Sequence, residues 1–220
     1  MRLKNIPGAR EAIAAHDRVI HEPETMKGKI KDLFPDPEKP LRIEIGMGKG
    51  RFIMEQAVKN PDINFIGIEK YSSVLLRALQ KLDAFDEESR PSNIYFIRMD
   101  AEDICDIFEK GEIDRIYLNF SDPWPKDRHA KRRLPSKEFL ARYEKILKKD
   151  GFVEFKTDNR MLFDFALEQI PEAGWETSLV TFDLHNEPEL MKDNVMTEYE
   201  ERFSSMGNPI CKLIANPGKK

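Results

Sequence analysis

The chain is 220 residues long, with 40% apolar and 35% charged residues, enough for one sizeable core beneath a heavily ionised surface and too apolar for wholesale disorder. Its net charge of −4 argues against a protein that coats nucleic acid indiscriminately, and no apolar run approaches the roughly 20 residues of a membrane span. Cys105 and Cys211 are too few for a disulfide framework or a structural zinc site, and His16, His21, His129 and His185 lack the spacing of a metalloprotease helix, so no metal site is expected. The first residues lack the apolar segment of a secretory signal, which makes a cytoplasmic protein the expectation.

Residues 1–40 carry a short apolar pattern around Ile13 and Val19 and then break on Pro23, Pro35, Pro37 and Pro40, as an arm leading into a domain at 41–220 would. From Leu41 the texture is strand, glycine loop, helix: Leu41 to Ile45, then Gly46-Met47-Gly48-Lys49-Gly50, then Phe52, Ile53 and Ala57 at helical spacing. The alternation repeats. Asn64 to Glu69 reads as a buried strand followed by a helix through Val74, Leu75, Ala78, Leu79 and Leu82. Ile94 to Arg98 is a third strand, Ile104 to Phe108 a short helix, and Asp114 to Phe120 a fourth strand. Phe139, Tyr143, Ile146 and Leu147 form a helical face, Phe152 to Lys156 a fifth strand, and Asn159 to Ile170 another helix. Trp175 to Asp183 and Pro209 to Ala215 are the last two strands, with no clear helix between them. Such alternation predicts an α/β fold, a mostly parallel sheet of about seven strands with helices on both faces, and ligands beyond the carboxyl ends of the strands. The final strand is expected to enter antiparallel at one edge.

Glycine loops serve where backbone must approach a ligand, although a plain tight turn accounts for this one equally well. A dinucleotide fingerprint would place its third glycine at position 51, which is Arg51, and no Walker-type phosphate cradle is present. Glu69 ends the second strand, where an acid can accept from both hydroxyls of a ribose, and Asp100 follows the third, placed to accept from an adenine amino group. With Glu44, these features resemble the class I methyltransferases. That resemblance implies a Rossmann-like fold and S-adenosylmethionine as cofactor, held by Glu44, Gly46, Gly48, Glu69, Asp100, Ala101 and Asp122.

The fourth strand runs into Asn119-Phe120-Ser121-Asp122-Pro123-Trp124-Pro125, where prolines on either side of Trp124 stiffen the backbone. From Lys126 to Lys137 there are six Lys or Arg against one acid, Asp127, a local cation on an acidic body. Asp122-Pro123-Trp124-Pro125-Lys126 with Arg128 to Arg133, then Lys156-Thr157-Asp158-Asn159, then Thr197-Glu198-Tyr199-Glu200, resemble the tRNA (guanine-N7-)-methyltransferase family in order and spacing. The resemblance implies methyl transfer from S-adenosylmethionine to N7 of a tRNA guanine, that of the variable loop. Asp122 is then the catalytic residue. Lys126, Arg128, His129, Lys131, Arg132, Arg133, Asp158, Thr197, Tyr199 and Glu200 are the expected substrate contacts, the cationic run gripping phosphates. Guanine N7 has a lone pair and no proton, so carboxylates near it act as charge stabilisers and acceptors rather than as bases. Another class I methyltransferase has no evident need for the cationic run, and a non-enzymatic RNA-binding module leaves the cofactor crevice unexplained. Oligomeric state stays open between monomer and homodimer, the homodimer slightly favoured.

Overall fold

The computed structural model describes residues 5–218. Its centre is a seven-stranded sheet in the order β3-β2-β1-β4-β5-β7-β6. The strands are β1 (Leu41–Ile45), β2 (Asn64–Glu69), β3 (Ile94–Arg98), β4 (Ile113–Asn119), β5 (Leu147–Thr157), β6 (Trp175–Thr181) and β7 (Cys211–Pro217). β1 pairs in parallel with β2 and β4, β2 with β3, and β4 with β5. β7 is antiparallel to both β5 and β6. The expected antiparallel direction of the last strand therefore holds, but its place is corrected: β7 inserts one position in and leaves β6 as the edge.

The helices are α1 (Ala9–Ala14), α2 (Arg51–Lys59), α3 (Ser72–Asp83), α4 (Ile104–Ile107), α5 (Lys137–Ile146), α6 (Arg160–Glu172), α7 (Pro188–Met191) and α8 (Glu198–Ser204). Successive strand residues point to opposite faces. Ile43 and Ile45 of β1, Ile66 and Ile68 of β2, and Ile116 and Leu118 of β4 meet α4, α5 and α6 in one core. Phe65, Phe96 and Tyr117 meet α2 and α3 in the other. Each fully buried side chain of this size is worth about 1.5–3 kcal/mol of transfer free energy.

The segment before β1 enters both cores: Ile13 and Val19 join one, and Ile20, Ile30 and Phe34 the other. It also borders β3, with Phe96 N donating to Arg18 O at 2.8 Å and Ile20 N to Phe96 O at 2.9 Å. Between β6 and β7, where the sequence shows no clear helix, α7 and α8 lie in one polar excursion. Leu147, expected on the face of α5, instead begins β5, which starts five residues earlier than the sequence suggests. Among the described residues no helix is long and apolar enough to cross a membrane.

Candidate active site

The parallel strands end together, and the side chains expected to act stand at those ends. Gly46, Gly48 and Gly50 have φ of +74°, +59° and +74°, a left-handed conformation that only glycine adopts without strain, so this turn requires glycine at all three positions. A Cβ at Gly50 would also stand 2.8 Å from the end of Met54. Glu69, buried at the end of β2, fixes this loop: its carboxylate accepts from Gly48 N at 3.1 Å and from Tyr71 N at 2.9 Å. Burial pushes its pKa up, the backbone N–H groups of Tyr71, Gly48 and Lys70 pull against that, and the nearby Asp122 carboxylate adds to the rise. A carboxylate has about four acceptor sites, so Glu69 keeps capacity for a further donor, as a ribose acceptor requires.

Glu44 is 1% exposed. Its Oε1 accepts from Asn119 Nδ2 at 2.8 Å across the β1·β4 pair, while Oε2 is sealed from solvent and finds no partner among the described residues. Burial drives its pKa up to about 8, only partly opposed by Asn119 and Lys156. Asn119 Oδ1 and Ser121 Oγ are likewise buried without partners. Buried polar atoms are nearly always satisfied, so orphaned acceptors at one crevice fit a ligand that brings N–H donors and positive charge. Asp100 follows β3, where burial would raise its pKa but the Lys70 ammonium and the Glu102 N–H, 3.2 Å away, outweigh this and lower it. Ala101 begins the single 3-10 turn that Asp100 caps.

The loop after β4 is strained at two non-glycine positions, Phe120 (φ +51°) and Trp124 (φ +42°). Each costs about 1–2 kcal/mol and persists only where neighbours impose it. Phe120 N donates to Lys156 O at 2.9 Å. Arg133 imposes the rest: its guanidinium donates to Pro123 O from Nε and to Trp124 O from Nη2, both at 3.1 Å, and its carbon centre lies 4.4 Å from the Phe165 ring centre. At 6% exposure Arg133 faces inward, which corrects its expected place among the phosphate-gripping cations. The others do face out. Lys126, Arg128, Lys131 and Arg132 are exposed along a 3-10 helix, Asp127–Arg132, and Arg132 lies over the Trp124 ring at 5.2 Å. His129 meets Trp124 edge-on at 5.6 Å and Arg128 Nε at 3.3 Å. Asp122, in the midst of this loop, is exposed.

On the far side stands α8. Thr197 Oγ1 caps it by accepting from Glu200 N at 2.9 Å. Tyr199 is 42% exposed, stacks on Phe203 at 4.1 Å and meets the Phe120 ring at 5.0 Å; burial and the neighbouring Asp158 carboxylate push its pKa up. Glu200 differs from its expected role as a substrate acceptor. It is fully buried, and its oxygens receive Lys156 Nζ at 2.6 Å, Asn194 Nδ2 at 2.7 Å and His185 Nε2 at 3.1 Å. Lys156, also fully buried, donates further to Val195 O at 2.9 Å and Asn194 Oδ1 at 3.1 Å. Burial lowers the Lys156 pKa; burial would raise that of Glu200, but the lysine beside it reverses this and lowers it. Sequence reasoning missed Asn119, Ser121, His185 and Asn194. The one available signal was Lys156, a charged residue at the end of the strand read from Phe152 to Lys156.

A mostly parallel sheet, a glycine loop with no phosphate cradle, and acids at three consecutive strand ends define a class I S-adenosylmethionine-dependent methyltransferase. A methyltransferase family model, Methyltransf_4, matches residues 38–213. The tRNA (guanine-N(7)-)-methyltransferase of Lachnoclostridium phytofermentans is 62% identical over 98% of this chain and 98% of its own length. That of Bacillus subtilis is 46% identical over 96% and 97%. Among solved structures, the 16S rRNA methyltransferase KamB superposes with a TM-score of 0.64 at 12% identity, over 87% of this chain and 92% of its own. The 16S rRNA (adenine(1408)-N(1))-methyltransferase of Catenulisporales acidiphilia gives 0.62 at 13%, over 91% and 93%. These two share the fold. The chain belongs to the tRNA (guanine-N7-)-methyltransferase family.

Proposed function

We propose that this protein transfers the methyl group of S-adenosylmethionine to N7 of a guanine in tRNA, the guanine of the variable loop, and that it does so in the cytoplasm. The observation that carries the reading is the juxtaposition of orphaned acceptors, Glu44 Oε2 and Asn119 Oδ1, with an exposed Asp122 and a solvent-facing row of cations on one strand-end loop. When bound, S-adenosylmethionine supplies an electrophilic methyl on a sulfonium centre. Glu44, Gly46, Gly48, Glu69, Asp100 and Ala101 hold it, Glu44 supplying negative charge to its cationic amino-acid end and Glu69 accepting from its ribose.

Asp122 orients the guanine edge and offsets the positive charge that N7 acquires on methylation, with no proton to remove. Asp158, close to Tyr199, accepts from the guanine N1–H or amino group. Lys126 donates to guanine O6 or a neighbouring phosphate. Arg128, Lys131 and Arg132 grip the RNA backbone, with His129 supporting Trp124 beneath them. Glu200 and Thr197 act through position: they fasten α8, and thereby Tyr199, against the reactive loop. The domain at 41–220 carries the chemistry and the arm at 1–40 an auxiliary contact.

A tRNA transcript in which 7-deazaguanine replaces the variable-loop guanine tests the assignment, because only the target atom is changed. Loss of methyl incorporation is expected; undiminished incorporation would place the target elsewhere.

A further inference from the structure

The exposed cations of residues 126–132 occupy one flank of the crevice. On the other flank lies a second group, outside the side chains assigned above to the cofactor and the reactive loop. Residues 5–11 run against the start of α3, with Ile6 N donating to Ser73 Oγ at 2.9 Å, and together with Lys70, Tyr71 and Arg98 they enclose a cleft of about 510 Å³. Arg10, Lys70 and Arg98 line it against one acid, Glu11. Lys70 is engaged by Asp100, whereas Arg10 and Arg98 are exposed and have no ion pair among the described residues. Tyr71 stands at the cleft with 46% of its surface exposed, a large aromatic left to solvent. Tyr71 is the N-cap of α3 and no side chain caps the helix's first turn, which adds partial positive charge to the same place.

Cations interleaved with an exposed aromatic ring are what single-stranded nucleic acid requires: charge for the phosphates and a flat face for a base. The placement fits one substrate molecule reaching both flanks. Arg98 ends β3 and the reactive loop leaves β4, with β2 and β1 between them. Three inter-strand steps put the two flanks roughly 14 Å apart.

We propose that Arg10 and Arg98 bind backbone phosphates and Tyr71 stacks a base of the tRNA, so that the substrate bridges the cofactor crevice from the β4 loop to the β3 edge. The proposal rests on tRNA being the substrate and deepens that reading with residues on the opposite side.

The test uses the full chain with Arg10→Ala/Arg98→Ala and, separately, Tyr71→Ala. Binding to bulk tRNA is followed across a salt series, and S-adenosylmethionine binding is followed by calorimetry. The double variant should flatten the log–log salt slope by roughly 1.4–1.8, two phosphate contacts' worth. Tyr71→Ala should weaken tRNA binding about five- to a hundred-fold and leave the slope unchanged, as lost stacking does. Cofactor affinity should match wild type in both, which also reports an intact fold. A wild-type salt slope in the double variant would overturn the proposal. So would a loss of cofactor affinity that accounts for the tRNA defect, because the cleft would then be the adenine flank. Wild-type protein is assayed alongside for 7-methylguanosine; if it forms none, the catalytic reading falls as well, whereas product formation with an unchanged slope confines the failure to this cleft.

Discussion

Lys156 Nζ lies 2.6 Å from Glu200 Oε2, and neither side chain has exposed surface. Lys156 belongs to β5 and Glu200 to α8, so this contact, with Asn194 and His185 around it, fastens the excursion between β6 and β7 to the sheet. Outer ion pairs reinforce it, Glu198 meeting Lys49 and Lys81, and Glu201 meeting Arg51. Those pairs are solvated and add little.

Removing one buried charge strands the other, which costs about 3–5 kcal/mol, whereas replacing both with apolar groups is far milder. Lys156→Met should therefore lower stability in urea unfolding by about that much, and Lys156→Met/Glu200→Leu should recover most of it. If Lys156→Met unfolds at the wild-type midpoint, the pair does not fasten α8.

Glu44 ionises at an ordinary 4.5 in an unfolded chain and at about 8 in the fold. Between those values the folded chain holds the extra proton, so stability without cofactor falls as pH rises through that window. Glu44→Gln removes the dependence, and its Tm should exceed that of wild type by a margin that widens from pH 5 to pH 8. Binding of the cationic cofactor favours the carboxylate, so wild type should release a proton at pH 7, seen by calorimetry in buffers of different ionisation enthalpy. The variant should release none and bind more weakly. Equal proton release in the two would exclude Glu44 as the responding group.

Arg133 faces the loop backbone and its neighbours Lys131 and Arg132 face solvent. Lys131→Ala/Arg132→Ala should flatten the salt dependence of tRNA binding by nearly one per lost phosphate contact. Arg133→Lys should keep the wild-type salt slope and lose turnover, because an ammonium cannot reproduce the fork that holds Pro123 and Trp124. A slope change in Arg133→Lys would return it to the phosphate-binding row.

Asp122 is exposed, and the buried Glu69 carboxyl lies close enough to feel its charge. Asp122→Ala should accordingly lose most methyl transfer while calorimetry still detects cofactor binding. Near-normal turnover in this variant would remove its assigned role.

The strands were legible where apolar runs are bounded by breakers: β2 and β3 begin and end where the sequence places them, because burial on both faces leaves a continuous apolar signature. The excursion holding α7 and α8 was not, since its stability comes from Lys156 and Glu200 meeting across 44 residues, and no local period reports such a contact. The candidate site was legible in position more than in role. Arg133 and Glu200 sit inside correctly marked motifs, yet a charge pattern does not say which member turns inward. For Arg133 the deciding factor is the strained Trp124 backbone, whose carbonyl needs a donor.

The most direct measurement is incubation of the purified protein with methyl-labelled S-adenosylmethionine and bulk tRNA, followed by cleavage chemistry specific for 7-methylguanosine. Label in tRNA and cleavage at the variable-loop guanine are expected. Absence of label, or label in a base that the chemistry leaves uncut, would contradict it.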